Sequence, residues 1–166
     1  MTPSPPQPDA KRKWQDLAQQ HLAMADLLRQ GQFPGGAVFH TYHAFECIVS
    51  ALIAARGWQV PPEGWTSLTL PSGKVVKAYP SPGGRIEEKS AHLARLKFFD
   101  ELADRTRPYY NLYRTMRTFI TVDARNNALY YNAPRNRLPD EEYSLLFAAA
   151  FYADMQQFVA EESQEI

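Results

Sequence analysis

The chain has 166 residues, with Lys plus Arg and Asp plus Glu both totalling 18, and a single cysteine, Cys47. That length suits one domain large enough to bury its own core, and the balanced charge favours no particular class of partner. One cysteine excludes an intramolecular disulfide, which fits a reducing compartment.

The opening "MTPSPPQPDAKRKW" has no apolar segment of signal-peptide type, and no uncharged apolar run is long enough to span a bilayer. A soluble cytoplasmic chain with no membrane partner is the expectation, with residues 1–8 a proline-rich disordered arm and 9–166 one helical-bundle domain. Asp9 is placed as N-cap of a first helix in which Trp14, Leu17, His21, Ala25 and Leu28 recur at helical spacing, and "RQGQFPGG" ends it. His21 on that stripe reads as a core histidine. A second helix runs from about Ala37 to Arg56, with Val38, Tyr42, Phe45, Val49 and Leu52 on one side and Gly57 as its stop.

From Trp58 to Arg85 five prolines and four glycines interrupt the helical pattern, and "SLTLPSGKVVKAY" resembles two short β-runs about a turn. Residues 58–86 are therefore expected to be a β-hairpin-like insert, removable from the bundle. Its Trp58, Trp65, Lys74, Lys77, Tyr79 and Arg85 combine aromatics with positive charge, as single-strand binders do, although tryptophans packed on the bundle explain the composition more simply.

Helical spacing resumes near Glu87, where His92, Leu96, Phe99 and Ala103 share a side. A fourth helix is expected from Pro108 to about Tyr131, and a fifth opens at Pro139 or Asp140, with Tyr143, Phe147, Ala150, Phe151 and Phe158 inward. The fold class expected is all-α: a four- to five-helix up-and-down bundle with a hairpin-like insert between helices 2 and 3.

Charge is unevenly spread. Arg95 to Arg137 holds nine basic residues and four acids, while the chain from Leu138 onward holds seven acids and no base, so a basic segment precedes an acidic one. On a helical wheel of the fourth helix, Leu112, Met116, Phe119, Ile120 and Tyr130 form the core stripe, and Arg107, Arg114, Thr118, Thr121 and Arg125 fall on nearly the opposite side. Asp123, with Asn126 and Asn127 beside it, falls within the apolar stripe, where a carboxylate needs partners.

The stretch "ARNNALYY", preceded by "TYHAFECIVSALIAARG" and followed by "LPDEEYSLLFAAAFYADMQQFVAEE", resembles the HEPN superfamily of small helical domains. The resemblance covers the second through fifth helices and leaves the 58–86 insert outside it. It implies a homodimer with an arginine near a cleft between protomers. Active members cut RNA there without metal, and others bind nucleotides or pair with small nucleotidyltransferases in toxin and antitoxin systems.

Arg125 matches the family arginine, but Leu129, Tyr130 and Tyr131 stand four to six residues later, where the ribonuclease pattern requires a histidine. A phenol is a poor base near neutral pH. The function expected is accordingly a nucleotide- or RNA-associated binding module. Metal-independent endoribonuclease is the alternative, and a structural or assembly protein the third class. Arg114, Arg125, Asn126, Asn127, Tyr130 and Tyr131 are the candidate ligand-binding residues, with Arg125, Tyr130 and Tyr131 the candidates for any catalysis.

Neither metal nor cofactor is expected. His40, His43 and Cys47 have ligand spacing on the second helix, with Glu46 near and His92 a donor from elsewhere, yet His and Cys beside Ser50, Ala51 and Ala54 also suit a close helix contact. No serine-nucleophile motif is present, and "SPGGR" and "FPGGA" lack the Lys and Ser/Thr of a phosphate loop.

Overall fold

The computed structural model describes residues 9–56, 67–77, 88–102, 110–121, 124–164 and 166. The arm 1–8, Gly57, Trp58, Trp65, Tyr79, Arg85, Ala103, Arg107, Pro108 and Asp123 lie outside the described residues. The described chain is mostly helical and bundle-like.

Helix α1 (Ala10–Gln30) and helix α2 (Pro34–Ala55) are joined by a three-residue turn. Asp9 stands at the cap position of α1 in a left-handed conformation, but its side chain caps nothing; only its carbonyl accepts, from Lys13 N at 3.0 Å. Helix α2 begins at Pro34, ahead of the expected Ala37, because a proline in the first turn lacks an N–H that would have no helical partner. Every residue from Ala44 to Ala54 except Glu46 is buried. The helix packs against α1 on one flank and against α7 (Leu145–Ser163) on another, with α3 (Glu88–Leu102), α5 (Ala124–Asn127) and α6 (Pro139–Glu142) around the rest. By length and composition α2 is apolar enough to cross a membrane, and 78% of its most apolar window is buried inside the fold.

The N-terminus of α2 is fastened across the chain. Asp140 Oδ1 accepts from Gly35 N at 2.8 Å, satisfying one of the donors that a helix start leaves open. A Cβ on Gly35 would lie 2.5 Å from Pro139 Cβ and 2.8 Å from its carbonyl carbon, so only glycine admits α6 this closely. A helix does open at Pro139, as expected, and the Asp140 side chain in its first turn caps α2. The expected final helix is itself divided: α6 stops at Glu142, Tyr143 is extended, and Ser144 Oγ accepts from Phe147 N at 3.0 Å to cap α7. Phe151 and Phe158 of α7 are buried as the pattern implies, whereas Ala150 is exposed.

Strands β1 (Ser67–Thr69) and β2 (Val75–Lys77) pair antiparallel, with Leu68 opposite Val76. Gly73, at φ +87°, turns the chain between them. This segment is not a detached appendage. Leu70 is buried in the main core, and Ser72 donates from both N and Oγ to the Glu101 carboxylate of α3, each at 2.8 Å.

Phe98 and Phe99 of α3, Leu112, Met116 and Phe119 of α4 (Tyr110–Thr121) and the inner side of α7 complete the core. Phe99 stands edge-on to Phe45 and Phe158, and Phe119 stacks on Tyr42 and Phe151. Arg114, Arg117 and Thr118 are on the exposed side of α4.

Leu70→Ala is expected to cost about 2–3 kcal/mol, the range for truncating a core leucine. Urea denaturation followed by helical circular dichroism will measure it. An unchanged midpoint would return the hairpin to the status of a removable insert.

Candidate functional site

The helix expected to continue to Tyr131 ends at Asn127. One last turn follows it, in which Asn126 O accepts from both Leu129 N at 3.1 Å and Tyr130 N at 2.7 Å before the chain leaves the helical path. Ala128 is buried and anchors this turn, while Tyr130 and Tyr131 are 63% and 55% exposed. Tyr130 is therefore not part of the core stripe, since the turn carries it off the helical wheel.

Beyond the tyrosines, Asn132 and Arg137 exchange two backbone hydrogen bonds, of 2.9 and 3.2 Å, around a 3-10 turn at Ala133–Arg135. Tyr131 Oη donates to Asn136 Oδ1 at 2.6 Å, and Asn136 holds the left-handed conformation that asparagine tolerates better than most residues. Arg135 Nη1 lies 2.8 Å from Glu142 Oε1 and Arg137 Nη1 3.9 Å from Glu142 Oε2. Two half-exposed guanidiniums share one buried carboxylate, leaving the turn a net positive charge.

Of the residues singled out in the sequence, Asn126, Tyr130 and Tyr131 share this exposed turn, and Asn127 is half-buried beside it. Arg114 is exposed on α4, which packs against α5. Arg125 is on α5, but its side chain is outside the described residues. Arg135, Asn136 and Arg137 were the residues missed; the signal for them was the "NAPRNR" loop itself, basic and bounded by a residue pair able to close it.

A second polar cluster gathers all four histidines of the chain along α2. His21 Nδ1 of α1 is 3.0 Å from His40 Nδ1, and the His21 and His43 rings stack at 5.4 Å. His21 is half-buried and partnered at the surface of α2, not enclosed in the core. Glu46 pairs with His92 of α3, accepts from Tyr42 Oη at 2.7 Å, and lies 3.9 Å from His43 Nδ1. Arg95 Nε donates to Ser50 Oγ at 3.0 Å within the same buried layer.

Burial alone would raise the Glu46 carboxyl. The hydrogen bond and charge of His92, the charge of Arg95 and the hydrogen bond from Tyr42 outweigh it and hold the group down at about 2. Glu46 is therefore an ionised brace between α2 and α3.

Cys47 is separated from the two histidines by its orientation: it is buried in the core, where burial first and the Glu46 charge second push its thiol up to about 12. It has no thiolate to offer a metal or a substrate near neutral pH. A metal bound in line between His21 and His40 would need their nitrogens about 4 Å apart, wider than the 3.0 Å observed. Among the described residues no group of three or more His, Cys, Asp or Glu stands in a metal-holding arrangement.

Removing Glu46 takes from His92 its carboxylate partner and from Arg95 a neighbouring negative charge in a buried layer, so Glu46→Ala is expected to lose on the order of 3 kcal/mol at pH 7. Because the folded carboxyl lies below its ordinary 4.5, its contribution is fully present above that value and disappears as the pH falls toward 2. Urea titrations across this range should show the gap between wild type and variant closing on acidification; a gap independent of pH would show that the loss is one of packing alone. The chain matches no family model, and no curated protein or solved structure is significantly similar to it.

Proposed function

We propose that the protein is a HEPN-like nucleotide- or RNA-associated binding module whose ligand surface is the turn from Asn126 to Arg137. The observation that carries this reading is the pair of adjacent exposed tyrosines on a turn braced at both ends, with Arg135 and Arg137 alongside. Aromatic faces held outward stack on bases of any sequence, and neighbouring guanidiniums meet the phosphates. A stretch serving only as a helix connection gains nothing from exposing two large rings.

The resemblance of "ARNNALYY" places Arg125 in the same reading, as a phosphate contact near the tyrosines, and makes the active unit a homodimer whose second copy closes the cleft. A nucleotidyltransferase partner of the toxin and antitoxin type, in the cytoplasm, belongs to the same proposal. The described turn carries no histidine, and all four histidines lie along α2 with partners of their own, so binding is favoured over strand cleavage.

Light scattering at micromolar concentration should give twice the 18.9 kDa chain mass; a clean monomer mass would remove the composite cleft. Fluorescence anisotropy with labelled oligouridine should weaken about tenfold on Tyr130→Ala or Tyr131→Ala, the scale of one lost base stack. Arg125→Ala and Arg137→Ala should each lower the salt slope by about one. Binding unchanged in all four variants would defeat the site, and Arg125-dependent cleavage of RNA in EDTA would promote the ribonuclease in its place.

A further inference from the structure

The contact between α1 and α2 contains a proton-dependent element. The Nδ1 atoms of His21 and His40 are 3.0 Å apart, while the ring centroids are only 5.3 Å apart and the planes 30° from parallel. Both nitrogens consequently lie near the line joining the rings and face each other head-on. Such a bond requires one Nδ1 to carry a hydrogen and the other to offer a lone pair. A neutral pair meets that condition, as does a pair with one imidazolium; two imidazoliums set N–H against N–H.

We propose that His21 and His40 form a proton-gated clasp, which holds α1 on α2 while the pair carries at most one positive charge and releases it when a second proton binds. The surroundings favour the closed state. Phe39 stands edge-on to His40 at 5.4 Å and to His43 at 4.5 Å, and the His43 ring stacks on His21. Ala18, Leu22 and Ala25, buried on the same side of α1, become exposed when it lifts.

The titratable groups acting on the pair are His43, whose ring stacks on His21, and Glu46, whose negative charge reaches His21 and is itself engaged by His92 and Arg95 of α3. On α1 the nearest charges in sequence are Asp16 and Asp26, one on either side of His21, and Asp26 pairs with Arg29. Burial lowers both His21 and His40 from 6.5, the charge of His40 lowers His21 further, and Glu46 opposes this only in part. With folded values below the unfolded one, the clasp's contribution is complete above pH 6.5 and is lost as the pH falls through the lowered values.

Histidine side-chain NMR on the full chain from pH 8 to 4 is the direct test. His21 and His40 should titrate as a coupled pair, in two steps separated by at least about one pH unit, and amide protection in α1 should fall with the second step. Independent single transitions at the ordinary histidine value would overturn the proposal. Thermal denaturation adds a second readout. His40→Gln keeps a donor and an acceptor without a second titrating ring, so its melting temperature should fall less than that of wild type between pH 6.5 and 5. Parallel curves for the two proteins would also overturn the clasp, and if the variant fails to fold, the NMR titration of the wild type decides alone.

Discussion

A helix enclosed on almost all sides can leave no polar group unanswered, and α2 is such a helix. Its mid-helix backbone is satisfied internally, while its N-terminus and its polar side chains find partners partly on other elements and partly within the helix. Asp140 reaches back to the Gly35 amide, and His92 and Tyr42 hold Glu46. Thr41 and Ser50 return their hydroxyls to carbonyls one turn earlier, at 2.8 and 2.7 Å. The positions of α3 and α6 follow from these obligations as much as from apolar contact. Hydrophobic burial draws helices around α2 without direction; the polar bonds select which residue faces which.

The exposed turn obeys the opposite rule. Little apolar area fixes it beyond Ala128, so its shape rests on hydrogen bonds: two donors on one carbonyl at Asn126, a closed pair at Asn132 and Arg137, and the Tyr131 hydroxyl on Asn136. This leaves the aromatic faces outside while limiting the conformations they sample, which lowers the ordering entropy of any contact made through them. Glu142 acts on the same surface as an internal counter-ion. On the proposed reading an incoming phosphate would compete with it for Arg135 and Arg137, which would favour ligands that offer more than charge, such as a base to stack.

Periodicity revealed the helical class, the inward sides of α2 and α4 and the exposure of Arg114, because burial along a helix repeats with its own geometry; on α1 the expected stripe lay to one side of the buried one, Ala18, Leu22 and Ala25. It did not reveal the break at Tyr143 and Ser144: two helices in similar phase read as one, and the cap that separates them is a single hydroxyl. Nor did it reveal what Asp140, His21 or Glu46 bond to. Their partners Gly35, His40 and His92 lie on other elements, where no local pattern records them. The candidate turn was legible as an anomaly of composition, asparagines and tyrosines where leucines would serve. Its exposure was not, since the wheel extends a helix past the point where Asn126 ends it.

The enclosure of α2 also bears on how the chain is made. Helix α2 is synthesised directly after α1, whereas α7, which covers another of its flanks, is separated from it by most of the sequence. Until α3, α5, α6 and α7 have followed in turn, a stretch with the hydropathy of a membrane span is only partly covered in the nascent chain. The most enclosed helix of the finished molecule is thus the one that exposes most apolar surface while the chain is incomplete, for an interval whose length is set by the connections between α2 and α7, not by the folding speed of either helix.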